Sequence, residues 1–211
     1  VSAFKLAQEL NPENPYYNNS LAYAYIKAEL YDDAIEYYQL AIKLNPDAEW
    51  TSIVCHALGA IYAEVKNNFE AAEATFNAGM VLDPNNVDIQ LSLGDLYMAQ
   101  NDLDKAIKTY CDAISTEPEN YLTYAKTGLA LWEKDYLEEA IVAFHKSIEL
   151  NPNFEIAQNN LGVVYLDGIG DPKESVEYFK NAININPNYT LAYFNLARAY
   201  QAIGDKAMAA E

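Results

Sequence analysis

The chain has little positive charge and almost no cysteine. Its 211 residues hold 13 Lys and Arg against 31 Asp and Glu, a net charge of −18. Such a surface repels a phosphate backbone, so no nucleic-acid partner is expected. Cys55 and Cys111 are too few for a disulfide framework, and both are expected as free thiols. Long apolar runs are also missing: the longest, Ser52 to Ala63, contains His56 and falls well short of the roughly 20 apolar residues of a spanning helix. Membrane insertion by that route is therefore not expected. No charged segment followed by an apolar run opens the chain, but it begins on Val1 rather than Met, so a removed leader or an upstream domain stays open. The compartment is only weakly bounded, with the cytoplasm favoured. Hydrophobic residues at 51% and charged residues at 21% argue against disorder and low complexity.

What is present is periodic. Pro12, Pro46, Pro84, Pro118, Pro152 and Pro187 are spaced 34, 38, 34, 34 and 35 residues apart. Most close the same phrase, as in Leu10-Asn11-Pro12, Leu44-Asn45-Pro46, Leu82-Asp83-Pro84, Leu150-Asn151-Pro152 and Ile185-Asn186-Pro187. An apolar-periodic stretch ends on a helix-terminating residue, and a proline then bars continuation.

This punctuation at a period of 34 resembles the tetratricopeptide repeat, a pair of antiparallel helices. With proline at repeat position 32, position 8 reads Ala22, Gly59, Gly94, Gly128, Gly162 and Ala197. Position 20 reads Ala34, Ala72, Ala106, Ala140, Ser175 and Ala209, and position 24 reads Phe4, Tyr38, Phe76, Tyr110, Phe144 and Phe179. Position 11 is Tyr25, Tyr62, Tyr97, Leu131, Tyr165 and Tyr200; position 7 is Leu21, Leu58, Leu93, Thr127, Leu161 and Leu196. Small residues let helix backbones approach, and rings fill the space between successive pairs. The chain departs from the family at position 4, where Asn18, Cys55, Gln90, Tyr124, Gln158 and Tyr193 replace the usual Trp, and in the fourth repeat at Thr127 and Leu131. The second repeat is four residues longer, expected as about three before its first helix, in Asp47 to Ser52, and one in the Asn67-Asn68 turn. The fifth has one extra residue within Asp167 to Pro172, whose Gly-x-Gly turn resembles the Sel-like repeats.

The register divides the chain into residues 1–14, the tail of a second helix; complete repeats 15–48, 49–86, 87–120, 121–154 and 155–189; and a partial repeat, 190–211. The resemblance implies an all-α, right-handed superhelical solenoid of antiparallel helix pairs. Both ends fall inside a helix pair and no capping helix is evident, so a piece of a longer array is expected.

Catalytic signatures are sparse. No phosphate-binding glycine loop occurs. His56 and His145 lie on helices of different kind in different repeats, which argues against a two-His metal site. Cys55 and His56 are consecutive on a helix, about 100° apart, and do not face each other. Acidic pairs such as Asp32-Asp33 and Glu138-Glu139 open second helices, where the helix dipole favours them. No enzyme activity and no cofactor or metal are expected.

In the family, the first helices line a concave groove through positions 2, 5, 6, 9, 12 and 13. The resemblance therefore implies a peptide-binding groove that includes Tyr23, Asp95, Met98, Trp132, Asn159, Asn160, Phe194, Asn195 and Arg198. Trp132, Phe194, Tyr23 and Met98 are the expected anchors. Asn160 and Asn195, both at position 6, resemble two rungs of the asparagine ladder in the repeats of O-linked N-acetylglucosamine transferase, where amides bond a backbone without reading its sequence. The carboxylate clamp of chaperone cofactors is absent, because position 5 carries no Lys. Groove acids Glu64, Asp88, Asp95, Glu133 and Asp167 stand against Lys27, Lys126 and Arg198, a nearly balanced net of −2. The expected function is a non-catalytic scaffold that binds a partner protein, as an extended peptide or a helix. The alternatives are a self-associating module and the targeting part of a larger enzyme.

Overall fold

The computed structural model describes residues 1–44 and 47–204. Asn45, Pro46, Asp205 and Ala209 of the repeat pattern lie outside the described residues. All regular structure among the described residues is helical. It falls into two compact units, Val1–Gln100 and the residues from Asn101 on. The first holds α1 (Ser2–Leu10), α2 (Pro15–Lys27), α3 (Tyr31–Leu44), α4 (Ala48–Ala60), α5 (Phe69–Leu82) and α6 (Val87–Ala99). The second holds α7 (Leu103–Thr116), α8 (Tyr121–Glu133), α9 (Leu137–Leu150), α10 (Glu155–Val163), α11 (Pro172–Ile185) and α12 (Thr190–Ile203). Helices joined by short turns pack on one another, pairing α2 with α3, α4 with α5, α8 with α9 and α10 with α11.

The polar residues at the junctions start the helices. Asn14 Oδ1 accepts from the Tyr16 and Tyr17 amides, and Pro15 fills the first helical position, where its missing N–H leaves nothing unpaired. Asp47, Asn68, Asn86, Asp102, Asn120 and Asp171 cap the same way, each contributing about 1 kcal/mol. The amides that replace Trp at position 4 also have a role. Asn18 Nδ2 donates to Pro12 O at 3.0 Å, and Gln90 Nε2 to Pro84 O at 3.1 Å, tying each first helix to the proline turn before it.

Within a pair, the first helix ends on a left-handed residue: Glu29 (φ 59°), Asn67 (50°), Asn101 (59°), Asp135 (64°), Gly170 (76°) or Gly204 (86°). Asn and Asp tolerate this region; Glu29 has no such compensation and sets a negative charge at a helix C-terminus. Glu29→Gly is expected to raise stability by about 0.5–1 kcal/mol, the strain relief outweighing the extra entropy of an unfolded glycine. A higher urea midpoint at unchanged slope checks it.

The insertions lie elsewhere than expected. The three residues assigned ahead of the second repeat's first helix are helical, because α4 begins at Ala48 with Asp47 capping the Trp50 amide at 2.9 Å. This extra turn buries Thr51 and Ser52 and sets Trp50 edge-on to Tyr16, ring centroids 4.9 Å apart. The fourth residue is absorbed in a π turn, Ile61–Val65, and not in the Asn67-Asn68 turn. The fifth repeat does the same over Val164–Ile169, so its Gly-x-Gly segment is helical up to Ile169. In ordinary repeats the carbonyl at position 11 accepts from the amide five residues on, as in Leu30 N to Tyr25 O and Tyr136 N to Leu131 O, both 2.9 Å. In the two long repeats it accepts from six residues on, Asn68 N to Tyr62 O and Asp171 N to Tyr165 O, both 2.8 Å. Widening one helical turn absorbs one residue without moving the packed rings.

The rings at position 24 form the core. Tyr38, Phe76, Tyr110, Phe144 and Phe179 are buried, and burial pushes the Tyr38 phenol up to about 12. Phe76, Phe144 and Phe179 seat directly on the glycine at position 8 of their own repeat: a Cβ on Gly59, Gly128 or Gly162 would stand 2.4, 2.9 or 2.6 Å from the ring. Phe4 departs from this pattern. It lies on α1 and is half exposed.

Candidate interaction surface on the first helices

In the first unit, α2, α4 and α6 carry the candidate positions. Tyr23 is exposed, with Lys27 Nζ 5.2 Å from its ring centre. Ile53, at position 2 of the second repeat, is exposed as well. His56 Nε2 lies 2.8 Å from Ser92 Oγ, joining positions 5 and 6 of neighbouring first helices. The histidine is thus turned away from Cys55, which is buried and whose thiol is pushed up by that burial. A cleft of about 170 Å³ follows, lined by Ala60, Ala63, Glu64, Ser92, Asp95, Leu96 and Ala99 and reaching Phe69 and Phe76. Asp95 is exposed there and Met98 is half-buried.

In the second unit the corresponding face exposes Leu122, Leu129, Ile156, Leu191 and Phe194. Beside them runs a chain of polar side chains. Asn159 Nδ2 donates to Asn160 Oδ1 at 3.3 Å, and Asn195 Nδ2 donates to Asn159 Oδ1 at 3.0 Å. Arg198 Nη1 donates to Asn195 Oδ1 at 3.3 Å, and Nη2 to Asp167 Oδ1 at 2.8 Å. The Arg198 guanidinium also lies 6.0 Å from the centre of the Phe194 ring, within cation–π range. The chain's only arginine is therefore held by an acid, an amide and a ring at once.

Two expectations are corrected by this geometry. The rungs Asn160 and Asn195 do not form a free ladder: Asn195 is buried and bonds Asn159, so the contact between repeats runs from position 5 to position 6. Asn159 is buried as well, and the two amides mainly satisfy each other; only Asn160 is partly exposed. Trp132 is not a free anchor either. It packs against the core formed by Phe144, Leu161 and Val164, and a Cβ on Gly168 would stand 2.6 Å from its Cζ3. The π turn brings Gly168 to the indole, a contact that needed the folded chain to be seen. The Phe194 ring is exposed by 63%.

No group of three or more His, Cys, Asp or Glu side chains could hold a metal ion among the described residues. His145 stands edge-on to Tyr178, 6.1 Å between ring centres, on second helices. No described helix is long and apolar enough to cross a membrane.

Tandem helix pairs, each closed by a ring on a small residue and lined on the first helices by apolar groups and amides, define an α-helical repeat protein of the interaction type. The chain belongs to the tetratricopeptide repeat family: models of that repeat match residues 15–48, 66–126, 123–154, 157–189 and 178–211. Among curated proteins it is similar to a peroxisomal targeting signal receptor of Candida albicans, 31% identical over 198 residues, covering 84% of this chain and 31% of the receptor. It is also similar to the BBSome complex member BBS4 of Bos taurus, 32% identical over 120 residues, 56% of this chain and 22% of that protein. The chain thus spans a third or less of these relatives. Among solved structures, MamA is 28% identical with a TM-score of 0.65, covering 72% of this chain and 88% of MamA. YrrB, described as a TPR protein with an unusual peptide-binding site, has a TM-score of 0.68 at 23% identity, covering 90% and 95%, a likeness of fold alone.

Proposed function

We propose that the chain is a non-catalytic interaction scaffold that holds a segment of a partner protein on its first helices. The observation that carries this reading is the row Leu122, Leu129, Ile156, Leu191 and Phe194, all exposed on three successive first helices beside a pre-ordered amide and guanidinium chain. Exposed apolar groups next to fixed donors suit a protein segment, which brings both side chains and backbone carbonyls. Kinship to a targeting signal receptor supports a partner bearing a short recognition segment. In the first unit Tyr23, Asp95 and Met98 would play the same part. Arg198 would act through its fixed position rather than as a free cation, since Asp167 balances its charge.

A photo-crosslinking side chain placed at Phe194 or Tyr23 is expected to trap a partner from an extract of the source cells. The same group at Val81, exposed on second helix α5, is expected to trap far less. Equal yields at the three positions would count against the first-helix face.

A further inference from the structure

The second unit carries an outer cleft of about 640 Å³ between α7 and α9, floored by α8. On α8 it is lined by Tyr124 and Thr127, at positions 4 and 7. At 100° per residue these point roughly opposite to positions 2, 5 and 9, where Leu122, Ala125 and Leu129 face the surface described above. The same outer groove exists in the first unit between α3 and α5, but measures about 390 Å³ and is lined by Leu58 and Tyr62 at positions 7 and 11.

Among the differences in lining are the fourth repeat's two departures. Elsewhere position 11 is a tyrosine engaged by a neighbour. Tyr25 stacks on Tyr37 with ring centres 5.6 Å apart, Tyr165 on Tyr178 at 5.3 Å, and the Tyr62 hydroxyl accepts from Gln39 Nε2 at 2.9 Å. The fourth repeat has Leu131, which packs into the core with Trp132 and does not line the cleft. Thr127 also stands where the other five repeats carry Leu. The cleft therefore lacks a ring and an isobutyl group that the fold places there elsewhere, while Ile114, Val142 and Ala143 keep its walls apolar. Val142 is 69% exposed. At the rim stand Glu138 and Glu139, in the first turn of α9, and Lys146, which pairs with Glu149 at 2.9 Å.

We propose that this outer cleft is a second binding site, and that its occupant is a partner-protein segment carrying an aromatic side chain next to a Lys or Arg. The ring takes the space the repeat leaves unfilled, and the base meets Glu138 and Glu139. The site is separate from the first-helix face and does not depend on the proposal made for it.

The test is titration of the 211-residue protein with two dipeptide amides, acetyl-Phe-Arg and acetyl-Phe-Glu, read by methyl chemical shifts in NMR. Saturable shifts are expected at the Thr127, Val142 and Ala143 methyls with acetyl-Phe-Arg amide, and about tenfold weaker binding with acetyl-Phe-Glu amide, the difference between attraction and repulsion at two exposed carboxylates. Thr127→Leu, which installs the residue the other repeats use, is expected to abolish these shifts. Val142→Asp at the exposed rim, which leaves the core untouched, is expected to weaken them. Shifts confined to Leu122 and Leu129, equal binding of the two peptides, shifts surviving Thr127→Leu, or none up to the solubility limit of the peptides would each overturn the proposal.

Discussion

Gly59→Val is expected to lower the stability of the first unit by about 3 kcal/mol, the upper end of the range for overpacking a core. The first added carbon would stand 2.4 Å from Phe76 Cε1, and Phe76 is 1% exposed, with no space to rotate into. Valine also adds two branched carbons in the same direction. Phe76→Ala alone is expected to cost about 4 kcal/mol by leaving a cavity. The double variant is expected to fall clearly short of the sum, because each change relieves what the other imposes. Urea unfolding of the four proteins, followed by far-ultraviolet circular dichroism, measures the cycle. Additivity would mean that ring and glycine do not share a contact. Gly128 and Gly162 stand in the same relation to Phe144 and Phe179, so the device repeats through the second unit.

Phe194→Ala is expected to weaken partner binding roughly 30-fold, about 2 kcal/mol, while leaving the folded state intact. The ring is exposed by 63% and lends little to the core, yet it carries the Arg198 guanidinium on its face. Its removal takes away an apolar anchor and loosens Arg198. Asn195→Ala should behave differently: it strands Asn159 Oδ1 in a buried position and frees one arm of Arg198. An unmet buried acceptor costs on the order of 1–3 kcal/mol, so that variant is expected to lower the melting temperature as well as affinity. Calorimetric titration with the captured partner, alongside thermal unfolding, separates the two behaviours. A Phe194→Ala protein with unchanged affinity would remove this ring from the binding surface.

Much of the fold was legible because it is local. The prolines, the small residues at positions 8 and 20 and the rings at position 24 recur at fixed spacing, and each unit of the pattern folds against its sequence neighbour. The placement of acidic pairs was legible for the same reason: Asp32, Asp33, Glu138 and Glu139 stand in the first turns of α3 and α9. The binding surface was only partly legible. Position numbers identify which side chains share the first-helix face, but not what they meet there. Trp132 looked like an anchor and is a packing residue; Asn195 looked like a free rung and is bonded to Asn159. Both outcomes depend on the neighbouring repeat, whose distance and rotation no single helix specifies.

The amino-acid sequence by itself determined the class of fold, the repeat register and the family, because the repeat is defined by helix ends and near-neighbour packing, which are written in short-range pattern. The tertiary structure alone decided where the extra residues go, which amides are satisfied and where space is left over. An insertion can be taken up by a loop, a longer helix or a π turn, and only the packing of the flanking rings selects the π turns at Ile61–Val65 and Val164–Ile169. In the same way, Thr127 and Leu131 read along the chain as mild departures from a pattern; in the folded chain Thr127 lines the cleft between α7 and α9, and Leu131 packs into the core.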